Sequence, residues 1–361
     1  MTGAVVALDP ADGSVLALYS APSYDPNLFV GGVDADTWEG LNTDAGRPLY
    51  NRAIQGVFAP ASTWKLATAA MAIDLGLIDA DTRMTQPCEG GILFGNRYFR
   101  CHDADGHGDV DLTGAIAGSC NVYFYQVGME MGLERYLDLA NSLGFNQPCG
   151  IDLPGERASV FPEGPEYWEE TFGYTPRDGE TLILAIGQGP NSQTPLKMAQ
   201  FYVALARDGS APVPRLVPSP PDADPAEGPD EAWRLDMSQE ALTAIRDGMR
   251  AVTAPGGTAY LSSLELWELS GKTGSGQNPR GLTDAWFAGM AGPKGGDPEI
   301  VLVVLVEDGG GGSVTAAPIA AKAADYYLRT KRGLEVPELQ TLRDHIMVGP
   351  WPDWSTSSTS N

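Results

Sequence analysis

The chain has 361 residues and carries 47 acidic side chains against 23 basic ones, a formal net charge of −24. This charge argues against nucleic acid and anionic lipid surfaces as partners, because both repel a strongly acidic protein. The longest apolar strand, 300–306, is far too short to span a bilayer. A chain of this length can bury a substantial core within one large domain.

Two apolar strands are predicted at the start of the sequence, and hydrophobic patterns typical of helices and further strands follow. We predict helices near 62–77, 122–131, 134–144, 195–208 and 238–253, strands near 265–274, 284–292 and 299–306, and a last helix near 315–330. Strands at both ends predict an α+β fold, in which helices flank an antiparallel sheet. We expect one domain over 1–350 with a helical lobe inserted at about 60–210, an exposed acidic, Pro-rich loop at 211–232 and a disordered tail at 351–361.

Ser62 and Lys65 open the first predicted helix, directly after Pro60. Residues three apart lie on one helix face, so the Lys65 amine can reach the Ser62 hydroxyl. A serine becomes a good nucleophile only when a neighbouring base takes its proton, and a lysine can be that base if burial and a nearby cation lower its pKa. Lys272 could supply that positive charge. Alone, however, such a pair is more often an ordinary feature of a surface helix.

Four potential metal ligands follow: Cys88, Cys101, His107 and Cys120. Three thiols and an imidazole suit tetrahedral zinc, which would hold the segment 88–110 and place the residues beside Cys120. The spacing is not that of a standard zinc knuckle. A Cys88–Cys101 disulfide, favoured by an oxidising compartment, and free buried thiols remain open alternatives.

Ser119 and Asn121 lie at a predicted helix–loop–helix junction, where alternate residues can direct two side chains into one cleft. Ser119 could relay protons between Lys65, Ser62 and a leaving amine, and the Asn121 amide could bind a substrate peptide group. Ser and Asn are also favoured helix caps, so a purely structural role is the simpler interpretation of this pair alone.

Lys272, Thr273, Gly274 and Ser275 end an apolar stretch and are predicted to form a strand edge along the cleft. Small residues let a substrate backbone lie alongside as an extra strand. Lys272 would attract a carboxylate, which the hydroxyls of Thr273 and Ser275 would bind. The N–H groups of Ser62 and Ser275 would form an oxyanion hole. A Gly-rich turn is the alternative.

A Ser-His-Asp triad has little support, because the chain has only three histidines and no Gly-x-Ser-x-Gly motif. The order Ser-x-x-Lys, Ser-x-Asn, Lys-Thr-Gly is instead the signature of serine acyltransferases whose base is a lysine.

These motifs resemble the penicillin-binding protein transpeptidase domain of monofunctional class B, and the resemblance extends over nearly the whole chain. Further stretches that carry it are 3–10, 13–17, 186–189, 194–199, 256–259 and 286–289. Stretches similar to the elongation (rod-shape) type are 27–32, 51–54, 123–125, 150–156 and 277–279. Ala61 stands where the family usually has Gly, and Ser275 where it usually has Thr.

The resemblance implies a peptidoglycan D,D-transpeptidase active in cell-wall elongation. Ser62 would attack the D-Ala-D-Ala bond of a stem peptide, and a neighbouring stem's amine would resolve the acyl-enzyme; β-lactams would acylate the same serine. No cofactor would be required for catalysis. The resemblance also implies a membrane glycosyltransferase partner, an extracytoplasmic location, and an N-terminal anchor and pedestal that this sequence does not contain.

Other functions on the same fold remain open. They are a serine β-lactamase, a D,D-carboxypeptidase, and a β-lactam sensor that binds without turnover.

Overall fold

A five-stranded antiparallel sheet, built from both ends of the chain, organises the structure. The computed structural model describes residues 1–217 and 230–336. Its strands are β1 (Gly3–Leu8), β2 (Val15–Ala21), β3 (Gly91–Phe94), β4 (Arg97–Arg100), β5 (Ser210–Pro212), β6 (Glu231–Arg234), β7 (Trp267–Gln277), β8 (Thr283–Pro293) and β9 (Ile300–Val306). The main sheet has the order β2-β1-β9-β8-β7, while β3–β4 and β5–β6 form separate hairpins. This architecture confirms the predicted α+β class.

The central strand β9 is the sheet's most apolar member. Its sequence is a run of Ile, Val and Leu, and every residue is buried. A strand buried on both faces needs such a run, because neither face can carry polar side chains. It pairs with β1 from Gly3↔Val306 to Leu8↔Val301 on one side and with β8 on the other. Strands far apart in the sequence are therefore paired at the centre of the sheet.

Helices cover both faces of this sheet and build the lobe beside it. They are α1 (Ala35–Thr43), α2 (Lys65–Asp74), α3 (Leu112–Ala117), α4 (Asn121–Met131), α5 (Leu133–Ser142), α6 (Glu166–Phe172), α7 (Gly179–Ala185), α8 (Pro195–Ala206), α9 (Gln239–Thr253) and α10 (Ala316–Lys331). Helix α8 packs on β1, β8 and β9, and α10 packs on β7, β8 and β9. Nearly all of α8 is buried, and its two long polar side chains, Lys197 and Gln200, bond each other. Thr194 caps its N-terminus, and Pro195 occupies the first turn.

Several sequence predictions need correction. Ser62 does not lie within α2, because a 3-10 turn over Ala61–Trp64 precedes that helix. The stretch 211–232 is not simply an exposed loop, since β5 is buried and pairs with β6. The rest of that acidic stretch (218–229) and the expected tail at 351–361 lie outside the described residues. Within 1–217 and 230–336, no helix combines the length and apolar character needed to cross a membrane.

Candidate active site

The turn that carries Ser62 is strained. Ala61 has a φ of +49°, in the left-handed region that costs an L residue about 1–2 kcal/mol. The Ala61 N–H donates to the Gly187 carbonyl at 2.9 Å. Gly187 approaches so closely that a Cβ there would lie 2.2 Å from the Ala61 carbonyl oxygen. This close packing holds the half-buried Ser62 immediately before α2, where the helix dipole favours negative charge.

Lys65 is completely buried, and its ammonium connects the Ser62 segment to the junction between α3 and α4. Its Nζ donates to the Ser119 carbonyl at 2.7 Å, to Ser119 Oγ at 3.2 Å and to Asn121 Oδ1 at 2.6 Å. Burial lowers the pKa of Lys65 to about 8, although the charges of nearby cysteine thiolates act in the opposite direction. About a tenth of Lys65 is therefore neutral at pH 7, far more than for an ordinary lysine, and the neutral amine is the form that a general base requires.

Ser119 and Asn121 reach Lys65 because neither of them caps α4. The cap is Cys120, whose Sγ accepts a hydrogen bond from the Tyr123 N–H at 3.4 Å. Ser119 has a φ of +57°, so the chain turns sharply just before the helix. Both polar side chains are therefore free for the cleft, and the capping interpretation of this pair is wrong.

Lys272 lies behind the cleft surface. It is fully buried, and its Nζ donates to the Thr273 carbonyl at 3.2 Å. Burial, and secondarily the positive charge of Lys65, lowers the pKa of Lys272 well below its ordinary value. Lys272 could therefore attract a substrate carboxylate only across β7, without lining the cleft itself.

The hydroxyls of β7 are held in place by neighbouring loops. Thr273 Oγ1 bonds Thr258 Oγ1 at 2.9 Å, and Ser275 Oγ accepts from the Gly312 N–H at 3.3 Å. Between them, a Cβ on Gly274 would lie 3.1 Å from the Pro60 carbonyl oxygen. Glycine therefore lets this edge strand pack directly against the segment that carries Ser62.

These elements border one cleft of about 790 Å³. Of the residues singled out in the sequence, those that line it are Ser62, Ser119, Asn121, Thr273, Gly274 and Ser275. Lys65 joins them through its hydrogen bonds to Ser119 and Asn121. A nucleophile, a buried amine and two hydroxyls at a strand edge are the parts needed for acyl transfer through an acyl-enzyme.

Other cleft residues received no role in the sequence analysis. Gln188 and Thr258 lie in stretches that carry the family resemblance, which was the available signal. Arg97 and Arg100 line the cleft from β4. Their only sequence signal is that two arginines flank an aromatic pair, which is too common to indicate a site.

Cys88, Cys101, His107 and Cys120 converge beside this cleft. All four ligand atoms lie within 4.8 Å of one another, and the cysteines are free thiols. His107 Nδ1 lies 3.6 Å from Cys88 Sγ and 3.5 Å from Cys101 Sγ. Zinc with Zn–S of about 2.3 Å and Zn–N of about 2.0–2.1 Å at tetrahedral angles places sulfur and nitrogen about 3.6 Å apart. The donor types suit zinc, and the two separations from His107 Nδ1 match this value.

Hydrogen bonds within the cluster favour a thiolate at Cys101, whereas the bond to Cys101 raises the pKa of Cys120. Hydrogen bonds from Cys120, and also from His102 and His107, lower the pKa of Cys101 well below its ordinary value. The bond to Cys101 also raises the pKa of His107 to about 9. The cluster joins the cleft directly, because the Asn121 N–H donates to Cys101 Sγ at 3.3 Å.

Known proteins share this architecture. The penicillin binding protein transpeptidase domain family matches residues 3–325. The peptidoglycan D,D-transpeptidase MrdA of Haemophilus influenzae is 35% identical over 353 residues, covering 92% of this chain and 54% of that protein. The chain therefore spans about half the length of this curated relative.

Solved structures agree with the sequence comparison. PBP2 of Pseudomonas aeruginosa, in complex with WCK 5153, matches with a TM-score of 0.82 and 32% identity over 93% of this chain and 73% of that one. A chain from a structure on the coordination of polymerization and crosslinking by a peptidoglycan synthase complex matches with a TM-score of 0.77 and 34% identity, covering 93% and 57%. With the family match extending over most of its length, the chain belongs to the penicillin-binding protein transpeptidases, on the class B, elongation-type branch.

Proposed function

We propose that this chain is the catalytic domain of a peptidoglycan D,D-transpeptidase that cross-links stem peptides during cell-wall elongation. The observation that carries the proposal is the buried Lys65 amine, which is held by Ser119 and Asn121 three residues after Ser62. Family membership and the name of the Haemophilus influenzae relative support the same reaction.

In the first half-reaction, neutral Lys65 accepts the Ser62 proton as Oγ attacks the carbonyl carbon of the penultimate D-Ala. The N–H groups of Ser62 and Ser275 stabilise the oxyanion of the tetrahedral intermediate. When the C–N bond breaks, Ser119 passes a proton from Lys65 to the leaving amine of the terminal D-Ala. The product is an ester between Ser62 and the shortened donor peptide.

In the second half-reaction, an amine from a neighbouring stem attacks this ester. Lys65 takes up the amine's proton, directly or through Ser119, and returns one to Ser62 as the C–O bond breaks. In the first half-reaction, the Asn121 amide bonds a peptide group of the donor, and the hydroxyls of Thr273 and Ser275 bind the carboxylate of its terminal D-Ala. Lys272, buried behind β7, would attract this carboxylate when its amine is protonated. A β-lactam presents an equivalent amide and carboxylate and would acylate Ser62 by the first half-reaction.

We infer the setting of this reaction from the same relatives. The substrate is peptidoglycan, so the domain would act on the extracytoplasmic side of the membrane. The peptidoglycan synthase complex structure concerns both polymerization and crosslinking, which supports a polymerising glycosyltransferase as the partner.

A labelled-penicillin experiment tests the proposal. We expect stoichiometric acylation, with the label on the proteolytic peptide that contains Ser62. Slow release of the label would favour a transpeptidase over a β-lactamase. Transfer of the acyl group of a stem-peptide thioester to an added amine would favour it over a carboxypeptidase or a sensor. Label on another residue, or rapid hydrolysis with no transfer to the amine, would contradict the proposal.

We further propose that the Cys88, Cys101, His107 and Cys120 cluster holds a structural zinc ion. Zinc would cross-link the 88–108 loop to the N-terminus of α4 and so fix Ser119 and Asn121 on either side of Cys120. The support is the donor set and the 3.5–3.6 Å separations between His107 Nδ1 and the two sulfurs. The zinc would take no part in the chemistry.

Protein purified without added zinc should contain about one zinc ion per chain, and a strong chelator should lower the melting temperature. The Cys101→Ser variant should lose the metal, whereas Cys149→Ser, a buried thiol outside the cluster, should retain it. Absence of metal with four titratable thiols would contradict the proposal. Absence of metal with only two titratable thiols would support a disulfide instead.

A further inference from the structure

We propose that Arg97 and Arg100 bind a carboxylate on the diamino acid of the stem peptide, separate from the carboxylate of the terminal D-Ala. The enzyme would then prefer stems whose diamino acid is diaminopimelate, which has this carboxylate, over stems with lysine, which lacks it. This inference rests on the proposed function and names the substrate class for the same cleft.

The charge of the cleft is the first argument. Acidic side chains outnumber basic ones by 47 to 23 in the chain, yet none of the described residues that line the cleft is Asp or Glu. Arg97 and Arg100 do line it. A cleft that is lined by cationic groups and lacks carboxylates attracts anionic ligands, even in a strongly acidic protein.

The second argument is that both guanidinium groups are available. Neither takes part in an ion pair with a carboxylate of residues 1–217 or 230–336, and both side chains are exposed. Arg135, another exposed arginine, also has no carboxylate partner among the described residues, but unlike Arg97 and Arg100 it lies outside the cleft. A free guanidinium offers several N–H donors in a planar fork that matches a carboxylate.

The third argument is that the hairpin carrying these arginines is rigidly fixed to the catalytic groups. The Arg97 guanidinium stacks on the ring of the buried Phe99, 4.9 Å from its centroid. The Arg100 carbonyl accepts hydrogen bonds from Asn121 Nδ2 at 3.3 Å and from Tyr125 Oη at 3.1 Å. A single side chain, Asn121, therefore links the Arg100 backbone to Lys65.

The chemistry of the stem explains why the diamino-acid carboxylate is the expected ligand. In a donor stem, the diamino acid directly precedes the D-Ala that becomes attached to Ser62. In an acceptor stem, the side-chain carboxylate of diaminopimelate sits on the carbon that bears the attacking amine. In the acceptor this carboxylate is on the carbon next to the reacting nitrogen, and in the donor it ends the side chain of the residue before that D-Ala. In either stem it would enter the cleft that Arg97 and Arg100 line.

Peptide pairs that differ only in this group test the inference. D-Ala-D-Ala stem peptides with diaminopimelate are compared with the same peptides carrying its side-chain amide, which keeps the shape and the amine but removes the charge. Donor recognition is measured as kcat/KM for D-Ala release, and acceptor recognition as the ratio of transfer to hydrolysis. We expect the wild-type protein to prefer the acid by at least about tenfold in one of these arms, as for a hydrogen bond to a charged group. The arm that shows the preference identifies the stem that is bound.

Arginine variants complete the test. In R97Q/R100Q the acid-to-amide ratio should fall to near one, whereas R97K/R100K should keep part of it, because lysine retains the charge without the fork. Arg135→Gln, an exposed arginine on α5 outside the cleft, should leave the ratio unchanged. The ratio compares two substrates on the same protein, so any general loss of activity cancels.

Two failures are distinguishable. A wild-type protein that is labelled on Ser62 by penicillin but shows no preference for the acid in either arm would overturn this inference alone, as would a full preference retained in R97Q/R100Q. A wild-type protein that penicillin does not label on Ser62 would overturn the proposed function and this inference with it.

Discussion

Replacing Lys65 with methionine should lower the rate at which a labelled penicillin acylates Ser62 by about 10³-fold or more, towards the level of Ser62→Ala. Without the amine, no buried group of suitable pKa remains hydrogen-bonded to Ser119 beside the nucleophile, and general bases contribute about 10²–10⁴ in rate. Methionine has a similar length and carries no charge, so it can fill the buried space. The measurement is the second-order acylation rate, with thermal unfolding to show that the variant is folded.

Lys197 provides the matched control. It is also buried, but its Nζ bonds Gln200 Oε1 at 3.0 Å on α8, away from the cleft. Lys197→Met should therefore acylate at close to the wild-type rate. An equal loss in both variants would show that removal of a buried lysine, rather than of the base, caused the defect.

The pH profile gives the same prediction a second readout. The pKa of Lys65 is lowered to about 8, and only the neutral amine can accept the Ser62 proton. The acylation rate of the wild-type protein should therefore rise about tenfold per pH unit below 8 and level off above it. A rate that is constant between pH 6 and 9 would contradict the role of Lys65 as the base.

Replacing Arg52 with methionine should destabilise the fold by about 3–5 kcal/mol. Arg52 is only 4% exposed and forms an ion pair with Glu307, which is 14% exposed. It also donates to the Gly46 carbonyl at 2.7 Å. Its loss would leave Glu307 largely buried, and among the described residues the more distant Arg280, at 3.6 Å, would be the remaining counter-ion. The expected fall in melting temperature is roughly 5 °C for a protein of this size.

An exposed arginine serves as the control for this effect. Arg234 is 46% exposed and pairs with Asp208 and Glu231, so Arg234→Met should cost less than about 1 kcal/mol. The double variant Arg52→Met/Glu307→Met should recover part of the loss, because no charge is then left buried without a partner. If Arg52→Met shifted the melting temperature no more than Arg234→Met, the buried pair would not contribute as argued.

The fold class and most of the regular elements of the sheet and the lobe could be predicted from the residues alone. Apolar patterns identify β7, β8, β9 and the flanking helices, because burial imposes a period that can be read directly from the residues. The three motifs and the resemblance they carry also identified the family. Short elements such as β3, β4 and α7 were not predicted, because so few residues show no distinct hydrophobic period.

The arrangement of the site depends on contacts between segments that are distant in the chain. The sequence predicts that Ser62 and Lys65 share one face. It does not reveal that Ser62 lies in a strained 3-10 turn, or that the Lys65 amine bonds Ser119 and Asn121. Lys272, expected at the cleft surface, is fully buried behind it. Burial and hydrogen bonding depend on which distant segments come into contact. These contacts determine the pKa of a buried lysine and whether an exposed arginine lines the cleft. A local pattern contains no information on such contacts, which is why the positions of Lys272 and Arg100 emerged only from the folded chain.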